Sequence, residues 1–297
     1  MVDLNSDLGE GFGVWSLGDD DALLAIVTSA NVACGFHAGD PTTMRRVSDR
    51  AATLGVRVGA QVSYRDLAGF GRRRIDVPAD ELADELRYQI GALAAFAPVA
   101  YVKPHGALYN TAAVDPAHAS AVVAAARAAG AASLVTLPPG PEASVADQPQ
   151  AASPAASPAD GREASVADQP QAGSSSPGER QGAGLPVLCQ PGSVLARLAA
   201  EAGLRVVAEG FADRGYLPDG RLVPRGSAGA LVTDVAAVTA QAVRMAVEGV
   251  VEAVDGTVIP MPIESLCVHG DTPGAVDMAG AVRAALLAAG VTVEPFV

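Results

Sequence analysis

Short apolar segments alternate with amphipathic helical segments along almost the whole chain, and most of the apolar segments end on polar residues beside glycine or alanine. This alternation constrains the fold more than any other feature. Strands separated by helices pair in parallel through right-handed crossovers. Strands are expected at residues 2–6, 29–34, 56–62, 99–104, 133–137, 204–209 and 265–269. Helices are expected at 19–27, 41–54, from 78 onward, and at 115–129, 192–202, 233–250 and 273–289, with a final extended tail at 291–296. In the third helix Leu82, Leu86, Ile90 and Leu93 recur at helical spacing. The polar clusters follow the first four strands and the sixth and seventh. A barrel brings all those ends to one rim, whereas an open sheet gathers mainly those at its switch point. The expected fold is therefore α/β: a seven-stranded parallel (β/α) barrel, TIM-like, forming one domain over residues 1–297. No GxGxxG follows the first strand and no GxxxxGK[ST] occurs, so Rossmann and P-loop readings lack their fingerprints.

Residues 139–184 break the pattern. They are Ala, Pro, Ser, Gln and Gly with almost no large apolar side chain, and EASVADQPQA occurs in them twice, at 142–151 and 163–172. Such a segment has too little to bury and reads as a disordered, low-complexity insertion. Two copies without a core face do not make a solenoid. Without the insertion roughly 250 residues remain, a usual barrel length.

A net charge of −13 argues against nucleic-acid and anionic-membrane partners. No apolar run is long enough to span a bilayer, and residues 1–7 lack the pattern of a signal peptide, so a cytoplasmic protein is expected. Cys34, Cys189 and Cys267 stand in unrelated contexts and read as reduced, buried thiols. Lys103 is the only lysine among 20 basic residues, and Asn5, Asn31 and Asn110 are the only asparagines. A chain so biased towards Ala, Arg and Gly would keep these types where a compact charge or a short amide is needed.

The densest candidate stretch is Asn31-Val-Ala-Cys-Gly-Phe-His37-Ala-Gly-Asp40-Pro, at the end of one strand and the start of a helix. Three of the four histidines, His37, His105 and His269, stand at strand ends beside small residues, where imidazole can ligate metal or move protons. His118, among helical alanines, reads as packing or surface. Asp7 and Glu10 follow the first strand and suit a divalent cation or a general base. Asp40 and Asp271, each followed within two residues by a proline, suit catalysis or helix capping equally. Lys103 suits phosphate or a developing oxyanion, or an ion pair with a rim carboxylate. Arg72, Arg73 and Arg74 offer forks for carboxylate or phosphate.

Taken together, DLNSDLGEGFG at 3–13, NVACGFHAGDP at 31–41, SYRDLAGFGRR at 63–73, YVKPHGALYN at 101–110, EGFADRGY at 209–216, LVPR at 222–225 and CVHGDTP at 267–273 resemble the LamB/YcsF family in order and wording. The likeness covers the chain apart from the insertion. Two positions depart from the family pattern: Gln61 stands where GAHP has histidine, and Arg65 stands where proline is usual. The resemblance implies a seven-stranded barrel of the glycoside hydrolase/deacetylase type. It also implies ATP-dependent opening of 5-oxo-L-proline to L-glutamate, in a complex with 5-oxoprolinase subunits B and C. Read onto this rim, that chemistry places a divalent cation, magnesium, near Asp7, Glu10 and His37. It places Lys103 and His105 at the reacting oxygen and His269 or Asp271 as base. Arg73 or Arg225 would hold the substrate carboxylate, with Asn31 and Asp40 beside it. Two other readings compete: a metal-dependent carbohydrate deacetylase or hydrolase, and a non-catalytic substrate-binding subunit.

Overall fold

The strands that alternate with helices are short and largely buried on both faces, and an open sheet of them would leave two edges unpaired until it closes on itself. A computed structural model shows that closure. It describes residues 1–132, 184–271 and 274–297. In chain order the elements are β1 (Asp3–Leu8), α1 (Asp20–Leu24), β2 (Ser29–Ala33), α2 (Pro41–Leu54), β3 (Arg57–Val62), α3 (Ala79–Ala94), β4 (Tyr101–Pro104), α4 (Gly106–Ala112) and α5 (Pro116–Ala132). There follow β5 (Val187–Cys189), α6 (Val194–Glu201), β6 (Val206–Phe211), α7 (Val235–Glu248), β7 (Val250–Glu252), β8 (Val258–Pro260), β9 (Ser265–Cys267) and α8 (Ala275–Ala288). Strands β1 to β6 and β9 form a closed parallel barrel, and β7 and β8 form a separate antiparallel pair. The seven-stranded barrel read from the sequence is the observed architecture. Among the described residues no helix is long and apolar enough to cross a membrane.

Local signals set the helix ends. Asp40 caps α2 by accepting from the Thr43 amide, Pro41 opens its first turn, and Gly55 ends it in the left-handed region. Leu82, Leu86, Ile90 and Leu93 of α3 are all buried, as their spacing requires. One expected strand is corrected: the barrel's fifth strand is β5 at Val187–Cys189, which pairs with β4 at Val102 and with β6. The expected strand at 133–137 and the expected disorder of the insertion lie outside the described residues, of which only Gly184 at the insertion's edge is described. Helix α4 and the β7–β8 pair were not anticipated.

The outward strand faces are conventional, with Leu4, Val32, Ala60, Val102 and Leu266 packed under the helices. The inward faces are not. Asp3, Asn5 and Asp7 of β1, Asn31 of β2, Gln61 of β3, Lys103 of β4 and Glu209 of β6 are all buried. Residues two apart on a strand share a face, so this polar set fills the barrel lumen. Cross-strand register brings its members level: Asp7 lies opposite Asn31, and Gln61 opposite Lys103. The lower end is apolar. Tyr101, Leu188, Val207 and Phe296 cluster there, with Val293 of the C-terminal tail bridged to Val2. Gly59 makes room for this plug, since a Cβ on it would lie 2.1 Å from the Tyr101 ring.

Candidate active site

The only lysine lies at the centre of the lumen. Lys103 Nζ is 2.8 Å from Glu209 Oε1, 3.0 Å from Asp7 Oδ1, and 3.2 Å from both Asn5 Oδ1 and Cys267 Sγ. Burial works against its charge, but the facing carboxylates push its pKa well above the ordinary lysine value. Burial also works against the charge of Asp7; Lys103, His269 and His105 together outweigh it and hold the carboxyl well below the usual range. Glu209 is the partner that burial wins, and its pKa is raised. Glu209 Oε2 and the Tyr109 hydroxyl are buried without hydrogen-bond partners. Asn31 braces the lysine's neighbours from below, donating 2.7 Å to Asn5 Oδ1 and 2.9 Å to Asp7 Oδ1 while accepting from the Tyr101 hydroxyl. Two of the three asparagines therefore sit in the network that holds the one lysine.

Towards β2 and β3 a second group forms. The His37 and His105 rings stack with centroids 4.5 Å apart. Burial lowers His37 to about 4 and His105 well below the ordinary imidazole value, so both rings are neutral. Their Nδ1 atoms are buried and unpartnered. Glu10 joins them: Glu10, His37 and His105 each bring a donor atom within 4.8 Å of the others. Burial, then Asp7 and Asp271, raise the Glu10 pKa well above its usual value. Neutral imidazoles with free lone pairs beside a carboxyl form a donor set that fits a cation. Two nitrogens and one oxygen suit a transition metal better than magnesium, which prefers oxygen. Gln61 does not displace this set. It links two of its members, with Oε1 3.0 Å from His37 Nε2 and Nε2 3.1 Å from Glu10 Oε1.

The loop after β3 walls the imidazoles. Phe70 takes a left-handed φ of 57°, the only non-glycine residue to do so among the described residues, and its ring stands edge-on to both histidines. Gly71, with φ of 64°, follows it; a Cβ there would lie 2.5 Å from Ser63 Oγ and 3.0 Å from His37 Cβ. Arg65, at the position of the usual proline, lies over the Phe36 ring.

Towards β6 and β9 the barrel mouth opens into a cavity of about 450 Å³, lined among others by Asp7, Lys103, His105, Phe211 and His269. His269 Nδ1 lies 2.9 Å from each oxygen of Asp213. Burial would raise the Asp213 pKa, but His269 and Arg214 hold it below its ordinary value. A carboxylate on Nδ1 fixes the ring's orientation and leaves Nε2 for water or substrate. The three cysteines are buried and free, and burial pushes each thiol up, Cys189 to about 12, so none is a thiolate nucleophile.

The expected site residues therefore divide. Lys103, His105 and His269 line one cavity, as does Arg225. Asp7 reaches that cavity but pairs with Lys103, and His105 takes the place beside Glu10 and His37 that Asp7 was expected to fill. Asp271 does not face water as a free base, because Arg72 and Arg225 both approach its Oδ2. Arg73 turns away to pair with Asp66, which caps the turn at Leu67–Gly69. Asp40 is occupied as the α2 cap, accepting also from Gly13. Asn31 lies beneath the site rather than in it. His118 is buried against Tyr64, 2.6 Å from its hydroxyl. Sequence reasoning gave no role to Asn5, Glu209, Asp213 or Arg214. For Glu209, Asp213 and Arg214 a signal existed, their place in the motif EGFADRGY at 209–216, and Glu209 also closes the apolar strand Val206-Val-Ala.

The chain is similar to known proteins over its full length. The sequence model of the LamB/YcsF family matches residues 2–157 and 178–297. A protein of Streptomyces coelicolor, named as the A subunit of 5-oxoprolinase, is 54% identical over the full length of both chains. One of the same name from Mycobacterium avium is 52% identical over 99% of this chain and 98% of its own. The crystal structure of a lactam utilization protein from Thermus thermophilus superposes with a TM-score of 0.78, at 36% identity and 99% coverage of each chain.

Proposed function

The chain belongs to the LamB/YcsF family, and on that footing we propose that it acts as the A subunit of an ATP-dependent 5-oxoprolinase, opening 5-oxo-L-proline to L-glutamate with subunits B and C. One observation carries the reading at the level of chemistry. A buried ammonium and a carboxylate-oriented imidazole meet at the same cavity of about 450 Å³, a size suited to a small ligand.

A lactam is a resonance-stabilised amide, so its carbonyl carbon is a poor electrophile. A phosphoryl group from ATP on the amide oxygen supplies the missing activation. The protein's own groups do the rest. His269, held by Asp213, takes a proton from water at Nε2 as the water oxygen bonds the ring carbon. Lys103, held charged by Asp7 and Glu209, offsets negative charge at the lactam oxygen that carries the phosphoryl group. When the carbon–nitrogen bond breaks, its electron pair stays on nitrogen, which takes the proton that His269 received, and the acyl phosphate so formed loses inorganic phosphate to a second water, giving glutamate. Glu10, His37 and His105 would hold a divalent transition metal, which supplies Lewis-acid polarisation when bound.

The test is reconstitution with the two partner subunits and measurement of ATP-coupled glutamate release. His269→Gln should abolish release, and Asp213→Asn should lower kcat far more than it raises KM. Full turnover in both variants would refute the assignment. The imidazole–carboxylate donor set also supports a second reading, a metal-dependent hydrolase of acetylated sugars. Acetate release from such sugars without ATP would favour it.

A further inference from the structure

The cavity wall carries far more positive charge than its acidic surroundings would suggest. Five guanidiniums and Lys103 line it, against one carboxylate, Asp7, which is already paired with the lysine. In a chain of net charge −13 this is a local reversal of sign. Two of the five are neutralised at the rim: Arg74 pairs with Asp115 and Arg221 with Asp219. Arg72, Arg214 and Arg225 remain. Arg72 and Arg225 converge on a single carboxylate oxygen, Asp271 Oδ2, with Arg225 at 3.9 Å. Arg214 is buried, and its Nε and Nη2 are spent on the Ala230 and Val223 carbonyls. Among the described residues no carboxylate lies within ion-pair distance of it, and its neighbour Asp213 is taken by His269. Burial first, and then Arg225, depress its pKa, as crowded like charges do.

Two guanidiniums sharing one carboxylate, and a third with none, leave a surplus that the lactam's single carboxylate would not neutralise. We propose that Arg72, Arg214 and Arg225 form a phosphate-recognition site at this cavity, with Asp271 holding the place of the incoming anion. Building on the function proposed above, the group recognised is the phosphoryl group on the activated lactam oxygen rather than a nucleotide. Planar forks match phosphate oxygens in pairs, which a lysine at these positions would not do. Water adds to the ring carbon and the carbon–nitrogen bond breaks with its electron pair on nitrogen, giving glutamate's side-chain acyl phosphate. A second water then releases inorganic phosphate and glutamate.

The full chain alone, without partners, is titrated with inorganic phosphate, ATP and 5-oxo-L-proline by calorimetry. We expect saturable phosphate binding that 5-oxo-L-proline does not displace, with ATP no tighter than phosphate. Arg225→Gln should weaken phosphate about tenfold, the loss of one charged hydrogen bond. Asp271→Asn should tighten it several-fold by removing the competing carboxylate. Arg214→Lys serves as a third variant in case larger changes there prevent folding, and should also weaken binding. Absence of saturable binding, binding indifferent to all three variants, weaker binding in Asp271→Asn, or ATP binding about a hundredfold tighter than phosphate would each overturn the proposal. Glutamate release by the reconstituted complex separates the two readings. An active complex in which this chain ignores phosphate refutes the arginine site alone. Phosphate binding with the expected variant pattern in an inactive complex refutes the function and leaves the arginine site standing.

Discussion

Lys103→Met is the sharpest test of how the lumen is held together. The substitution keeps most of the aliphatic stem and removes the charge, so the space it leaves is small. Two carboxylates then lose their cation. At 3.0 Å from Asp7 and 2.8 Å from Glu209, each contact has a gross Coulomb energy of about 6 kcal/mol at an effective dielectric constant of about 20. Desolvation offsets most of that, and removing one partner of a buried pair has a net cost of about 3–5 kcal/mol. Total stability for a domain is about 5–15 kcal/mol, so the variant should lose a large share of it. Glu209, whose pKa burial already raises, is the group that would take up a proton to relieve the excess charge. Adding Glu209→Gln to Lys103→Met should therefore recover about 1–3 kcal/mol, although Glu209→Gln alone destabilises the parent. Urea unfolding of the parent, both single variants and the double variant gives the coupling energy directly. A Lys103→Met protein within about 1 kcal/mol of the parent, with additive effects in the double variant, would refute the account of the lumen as one charge-coupled unit.

Four further outcomes follow from the same geometry. Asp213→Asn should cost stability at neutral pH. The folded pKa of Asp213 lies below the ordinary 3.8, so its contribution is present above that value and is lost as pH falls through the folded one. The stability gap to the parent should therefore narrow as urea melts are taken from about pH 5 to about pH 3, and a constant gap would count against the ion pair. Gly71→Ala must adopt a left-handed φ and push a Cβ against Ser63 Oγ, a cost of about 1–3 kcal/mol; a neutral thermal melt would show that the loop does not need this approach. Cobalt(II) should bind the chain with a ligand-field spectrum that Glu10→Gln and His105→Gln each abolish, while magnesium competes poorly; an unchanged spectrum in both variants would remove these residues as ligands. Deleting residues 139–180 should shift the melting temperature by no more than about 2 °C, because a segment with almost no large apolar side chains has little to bury and its length adds only loop-closure entropy; a large drop would show that the barrel depends on it.

The barrel was legible because its evidence is distributed. Many strand–helix alternations each carry the same message, and an error in one leaves the topology intact. The fifth strand shows the limit. Val187–Cys189 is three residues long, too short for periodicity to mark it, and the apolar run at 133–137 offered a more visible alternative. The site was legible by residue type more than by residue. His105, His269 and Lys103 announce themselves because their types are rare in this chain. Arg72 and Arg73 are adjacent and identical, and only the turn built by Phe70 and Gly71 decides which of them points at Asp271 and which at Asp66. Asp40 and Asp271 likewise share a local pattern, yet the first caps a helix while the second does not, because α8 begins later, after Gly274.

Lys103 also explains why the site is arranged in two halves rather than one. On the β2–β3 side stand neutral donors, with Glu10, His37 and His105 poised for a cation. On the β6–β9 side stand the His269–Asp213 pair, Arg214 and Arg225, poised for water and anion, and Arg72 reaches Asp271 from the loop after β3. A metal and a cluster of guanidiniums repel each other, and placed side by side in a low dielectric each would weaken the other's hold on its ligand. Asp7 and Glu209 lie between the two halves and supply negative charge there, and Lys103 neutralises enough of it for both carboxylates to remain buried. Arginine would carry the charge, but its broad planar head would not fit among Asp7, Asn5, Cys267 and Glu209, all within 3.2 Å of one nitrogen. A compact ammonium satisfies this centre, and the position keeps the one lysine in a chain that otherwise uses arginine.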